Sequence, residues 1–224
     1  PDLFTRKRVA RVRGSTRVTH EELGVFITES PLKNTKAARY NDVDIDGDFG
    51  LTLDMNLGLS PGSEKDVLGL LRFSGNRIHS TKQRLTLEEV AGDISFTRYD
   101  WYGEGLDAVF EGDRVGVVLN GGLDDPNYDT EFRMIGTSDA KQLFKYIERY
   151  APILNAWLTE GSLGASIAGR LPWKAVLTIP EASEDGTAAP KRLTVESSLL
   201  GLNVDLPWPF GKSRAEQKPL TIRT

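Results

Sequence analysis

From Leu51 to Leu59 every second residue is apolar and the residues between are polar or glycine: Leu51-Thr52-Leu53-Asp54-Met55-Asn56-Leu57-Gly58-Leu59. In an extended chain successive side chains point to opposite faces, so this segment predicts a strand with one dry face and one wet face. The alternation recurs at Leu85 and Leu87, at Ile94 and Phe96, at Leu106, Ala108 and Phe110, at Val115, Val117 and Leu119, and at Phe132 and Met134. Reversals are predicted at Asp46-Gly47-Asp48, Gly75-Asn76, Gly92-Asp93, Gly112-Asp113 and Asn120-Gly121-Gly122, where the residue types tolerate positive φ. Strands joined so briefly are antiparallel neighbours, which makes residues 1–137 a meander.

The period changes over residues 138–160. Leu143, Ile147, Tyr150, Leu154 and Trp157 recur at spacings of four and three, as on one face of a helix. Asp139 is placed to cap its start, Gln142 follows as in a capping box, and Gly161 can end it. Pro152 kinks or splits this helix, and Lys141, Lys145, Glu148 and Arg149 exclude it as a membrane span. Strands return over 161–224: Leu163, Ala165 and Ile167, then Trp173, Ala175, Leu177 and Ile179, separated by Gly169-Arg170-Leu171-Pro172. An exposed polar loop spans 181–190, and a last short strand lies near Leu220 and Ile222. Leu85 to Phe96, broken at Gly92, has an echo in Leu193 to Leu206, broken at Gly201, which predicts a repeated strand-turn-strand unit. No interior domain boundary is visible, so the fold class is mainly β with one amphipathic, Pro-kinked helix.

Composition narrows the chemistry. The 224 residues can bury a self-sufficient core, and 28 basic against 32 acidic residues give a net charge of −4, too weak a field to argue for nucleic acid. Zero cysteines exclude disulfides, thiolate metal sites and cysteine nucleophiles. The two histidines, His20 and His79, sit in neither a metal-ligand pair nor a nucleophile elbow. Asp42-Val43-Asp44-Ile45-Asp46-Gly47 resembles the opening of a calcium loop, but Leu53 stands where the bidentate glutamate belongs, and the alternation fits a strand entering a tight turn. Gly211-Lys212-Ser213 resembles the end of a phosphate-binding loop. There the earlier glycine position is Leu206, and Pro207 and Pro209 have no N–H to donate, so a stiff strand exit fits better. Tyr99, Trp101 and Tyr102 form either a sugar-stacking platform or one core ring with two edge rings. No pattern favours an enzyme, a cofactor or a metal. The start at Pro1 and the lack of an apolar leader segment predict a processed protein or a fragment, and no run of about 18 apolar residues is present to span a membrane.

The carboxy-terminal segments are the most distinctive. Gly169-Arg170-Leu171-Pro172-Trp173-Lys174-Ala175-Val176-Leu177-Thr178-Ile179-Pro180 is followed by Leu193-Thr194-Val195-Glu196-Ser197-Ser198-Leu199-Leu200-Gly201-Leu202-Asn203-Val204-Asp205-Leu206-Pro207-Trp208-Pro209-Phe210-Gly211-Lys212. This resembles the YhdP family of AsmA-like, TamB-related envelope proteins, in which a strand, Ser-x-Leu-x-Gly-Leu, a strand and Leu-Pro-x-Pro-x-Gly-Lys recur; Trp208 stands where a small residue is commoner. Val90-Ala91-Gly92-Asp93-Ile94-Ser95-Phe96 and Gly105-Leu106-Asp107-Ala108 are similar to the family's repeated β units, extending the resemblance over about 75–212, while the first 70 residues fit only by β character.

The resemblance implies a long antiparallel sheet, curled into a groove or a partly open barrel, in a periplasmic segment whose inner-membrane anchor lies elsewhere in a longer chain. It implies a non-catalytic role in moving phospholipid between the inner and outer membranes. The implied partners are phospholipid acyl chains and the other segments of the same chain, with no nucleic acid. Burying acyl chains against an apolar sheet face gains about 0.8 kcal/mol per methylene. On this expectation Leu85, Leu87, Ile94, Phe96, Leu106, Phe110, Val117, Phe132 and Met134 line a lipid groove that the 139–160 helix plugs or edges. The alternatives are an ordinary closed core for these residues, and for the chain a β-sandwich binding or adhesion module that uses the aromatics around Trp101.

Overall fold

The computed structural model describes residues 9–30, 43–58, 65–97, 100–122, 129–143, 166–180 and 190–223. Its strands are β1 Val9–Val18, β2 Val43–Asp46, β3 Phe49–Gly58, β4 Lys65–Ser80, β5 Leu85–Thr97, β6 Asp100–Phe110, β7 Asp113–Gly122, β8 Thr130–Asp139, β9 Ile167–Ala168, β10 Arg170–Ile179, β11 Arg192–Ser197, β12 Asn203–Val204 and β13 Leu220–Arg223. One 11-stranded sheet runs β1-β3-β4-β5-β6-β7-β8-β10-β11-β13, with β2 also on β4, and every pairing is antiparallel. The sheet is not closed into a barrel. The expected meander is therefore present.

Register places the apolar positions of neighbouring strands opposite one another. One row crosses Leu106, Val117, Met134, Ala175, Val195 and Ile222, and a second crosses Leu119, Phe132, Leu177 and Leu193. The opposite face is charged, with cross-strand pairs such as Arg72–Asp93 at 2.8 Å and Lys174–Glu196 at 3.5 Å. Exposed pairs of this kind contribute little to stability, but they keep the outer face wet and the register fixed.

The inner face stays continuous only because β4, β5 and β6 each change parity once. Val67 and Phe73 face inward at odd positions and Asn76 and Ser80 at even ones; Leu87 is followed inward by Val90, and Gly103 by Leu106. At the changes stand Gly75, Glu89 and Gly105, with φ of 90°, 52° and 72°, where the ladder registers shift. An extra residue in a strand bends it and increases its twist, so bulges on three adjacent strands curl the sheet around its apolar face. Asn76 holds this bend from inside: its amide donates to the carbonyls of Asp46 and Asp48, each at 3.1 Å, and its Oδ1 accepts from the Ser74 N–H at 3.0 Å.

These features correct several sequence expectations. Gly75-Asn76 and Gly92-Asp93 lie inside β4 and β5, because positive φ serves a bulge as well as a turn, and the reversal between those strands is Thr81–Arg84. Asp46-Gly47-Asp48 is a corner, since β2 and β3 both pair with β4. Pro172 belongs to β10, paired with Thr137 of β8 at a level that the β11 ladder does not reach. The Leu193–Leu206 echo also fails: β11 ends at Ser197, and Leu199 and Gly201, with φ of 54° and 89°, take the chain out of extended conformation before β12.

A second departure is a helix, α1 His20–Glu29, which lays Phe26 and Ile27 beside Met55 and Val67. Thr19 caps it, its hydroxyl accepting from the Glu22 N–H at 3.3 Å while the Glu22 carboxylate accepts from the Thr19 N–H at 2.9 Å. The helix expected over 138–160 begins at Ala140; Asp139 Oδ1 accepts from the Lys141 N–H at 2.9 Å, as its capping role required. Its course beyond Leu143, including Pro152, falls outside the described residues, as do Leu163, Ala165 and most of the 181–190 loop. The excursion between β8 and β10 is pinned at its base, where the Ala140 N–H donates to the Gly169 carbonyl at 2.9 Å. There the backbones at Gly169 and Gly201 nearly touch: a Cβ on Gly169 would lie 2.2 Å from the Gly201 oxygen.

Candidate functional site: a cavity beneath the curled sheet

Along the sheet path β5 and β11 are separated by four other strands, yet curvature brings them over the same space. Lys191, just before β11, donates from Nζ to Oε1 of Gln83 in the β4–β5 reversal at 3.0 Å. Beneath this bridge lies a cavity of about 280 Å³, close to the lower end of the range for small-molecule pockets. Leu85 and Leu193 approach it from the two sides, Phe110, Phe132, Met134, Trp173, Ala175, Leu177 and Val195 supply the floor, and Leu143 reaches it from the helical turn. Among the described residues the polar ones on its lining are Lys82, Gln83 and Lys191.

The rings are held in place. Trp173 Nε1 donates to Ser138 Oγ at 2.9 Å, and the indole meets Phe110 edge-on with centroids 6.1 Å apart. The donor a buried indole must satisfy is thus satisfied on the same face that carries the cavity.

The nine expected groove residues all lie on the inner face, and the structure divides them. Leu85, Phe110, Phe132 and Met134 line the cavity. Leu87, Ile94, Leu106 and Val117 belong to the buried cluster beside it, at 8 % exposure or less. Phe96 sits with the smaller cluster of Met55 and Val67, its ring lying where a Gly69 side chain would be, 2.0 Å from that Cβ position. Sequence reasoning had found the alternation of Trp173, Ala175 and Leu177 but left it out of the groove, and it had no means of placing Lys82, Gln83 and Lys191 at one opening. That grouping depends on the curl.

The motifs set aside in the sequence have other work. Asp46 pairs with Arg77 at 3.2 Å, and Asp44 lies opposite His79 in the β2–β4 ladder. His79 Nδ1 and Thr86 Oγ1 lie 2.9 Å apart in a hydrogen bond, and His20 opens α1. Lys212 is buried and donates from Nζ to the carbonyls of Leu202 and Ser213, each at 3.0 Å. Desolvation lowers its pKa below the usual lysine value. Trp101 packs against the inner cluster while Tyr102 stands 44 % exposed on the other face, so the two rings share no platform; Tyr99 is outside the described residues.

An open antiparallel sheet with a charged outer face and an apolar inner face defines the class of protein by its architecture: mainly β, with one large sheet that is not closed into a barrel. The YhdP protein family model matches residues 1–224, and the chain belongs to that family. The family is one of envelope-associated proteins. No curated protein and no solved structure matches the chain. Among the described residues no helix is long and apolar enough to cross a membrane.

Proposed function

We propose that this chain is a periplasmic, lipid-shielding segment of an inner-membrane-anchored envelope protein that moves phospholipid between the two membranes, and that the cavity beneath β5 and β11 receives an acyl chain. The observation that carries this reading is the cavity itself: an apolar space with aromatic and aliphatic walls, left unfilled by the described residues on the inner face of a sheet that does not close. An unfilled apolar space forfeits dispersion contacts, and a fold that keeps one tolerates that cost where a ligand restores them. The reading asks for binding and transfer only, so no side chain is assigned a catalytic role. Membership of an envelope-associated family supports the same direction.

The test is photo-crosslinking in cells, with a photoreactive residue in the full-length protein at Phe110, at Phe96 or at Ile135, which is 52 % exposed. Phospholipid adducts are expected at 110 and not at 135, with little at 96, where the ring covers Gly69. Equal capture at 110 and 135, or none at 110, overturns the proposal.

A further inference from the structure

The cavity is chemically lopsided. Its walls are hydrocarbon, and the cationic residues Lys82 and Lys191 adjoin it with the Gln83 amide on one side only, at the reversal between β4 and β5 and the approach to β11. Lys191 reaches the residue next to Lys82, since its Nζ lies 3.0 Å from Gln83 Oε1, and all three residues line the cavity, so they share one rim. Lys82 is exposed while Gln83 and Lys191 are half-buried, which places this rim where the cavity meets water. Among the described lining residues there is no carboxylate.

We infer that this rim selects the headgroup of the lipid whose acyl chain fills the cavity, favouring phospholipids of net negative charge. The inference rests on the acyl-chain reading above and adds a specificity to it. The physical reason is charge balance at a fixed distance from the apolar wall. A phosphodiester held at the rim supplies one negative charge that ammonium and amide N–H groups can approach, as lysine does at phosphate sites generally. A zwitterionic headgroup brings an ammonium of its own to the same place, where two lysines repel it; an uncharged glycerol headgroup does not. Because Lys82 is exposed, screening limits the preference, and an enrichment of about threefold to tenfold is the expected scale, falling as salt is raised.

The probe is a vesicle of equal parts phosphatidylglycerol and phosphatidylethanolamine, incubated with the purified full-length protein. The lipid that remains bound is extracted and quantified by mass spectrometry. The native protein is expected to carry phosphatidylglycerol in excess over the vesicle. A Lys82→Gln, Lys191→Gln double variant is expected to carry its bound lipid at the vesicle's own ratio. Lys82→Arg with Lys191→Arg keeps charge at both positions and is expected to retain the enrichment, which separates charge from packing. Glycerol phosphate without acyl chains, added in excess, is expected to leave bound lipid in place; displacement by it would mean a site for free phosphate and overturn the inference. Lipid bound at the vesicle ratio by the native protein, or enrichment that survives in the glutamine variant, overturns the selectivity alone. Absence of any bound lipid removes the acyl-chain proposal with it.

Discussion

The arch formed by β5 to β11 and the outer halves of β1 and β3 carry the same alternation of apolar and polar residues, and the two regions bury it differently. In the arch, buried residues from Leu87 through Val195 form one contiguous cluster. Toward the free edge, the cluster consists of Met55 and Val67 with Phe26, Ile27, Leu53 and Phe96 half-buried around them, and Val12 of β1 remains 45 % exposed. Hydrophobicity does not separate them; curvature does. Past the bulges the sheet faces itself across its own interior, whereas among the described residues the edge strands face a ten-residue helix. A flat apolar face needs a cover, and a curled one supplies most of its own.

If curvature makes the arch a core, removing a large side chain there should cost far more than removing one near the edge. Trp173→Ala deletes an indole that is 3 % exposed, breaks the edge-on contact with Phe110 and strands the Ser138 hydroxyl. A loss of about 3–5 kcal/mol is expected in urea unfolding, against about 2 kcal/mol for Met55→Ala, because α1 can settle onto the space. Equal losses would mean that the two regions are one core and that the contrast is only apparent.

The cause of the curl can be tested at Glu89, a non-glycine residue held at φ of 52° within β5. Glu89→Gly relieves that conformation and is expected to stabilise the protein by about 0.5–1 kcal/mol. Glu89→Val is expected to destabilise it by about 1–2 kcal/mol, because a β-branched residue resists positive φ. The opposite order would show that the bulge is not what sets the bend.

The same residue marks the limit of what the sequence discloses. Leu87 and Ile94 are seven residues apart, so strict alternation puts them on opposite faces, yet both are buried in one cluster. Reading them as one face required an extra residue between them, and nothing in Glu88-Glu89 announces it. Strands, order and the dry face were legible because period-2 patterning is local. The cavity was not, because Gln83 and Lys191 meet only after three bulges have acted together. The helix α1 was legible and overlooked: Thr19-His20-Glu21-Glu22 followed by Leu23, Phe26 and Ile27 carries the capping box and the apolar spacing. Short length beside a long strand pattern hid it.

The smallest expected effect concerns the outer face of the edge. Asp54 of β3 accepts from Arg11 Nη2 at 2.9 Å and from Arg13 Nε at 2.8 Å, both on β1. The Arg11 hydrogen bonds first, and then those of Arg13, hold its carboxyl well below the usual carboxylate range. Because the folded value is depressed, this contribution is fully present above the unfolded value of about 3.9 and is lost as pH falls through it toward the folded one. Asp93, lowered by Arg72, follows the same sign within the middle of the sheet. Its strands β4 and β5 keep further neighbours in β3 and β6, whereas among the described strands β1 has β3 alone. Amide exchange should therefore rise in β1 and not in β5 as pH is lowered below about 4, after correction for the intrinsic rate. An Asp54→Asn variant should show the β1 fraying already at neutral pH. Equal protection of β1 and β5 across that range would show that the edge strand is held by its backbone ladder and owes nothing to the charges on its outer face.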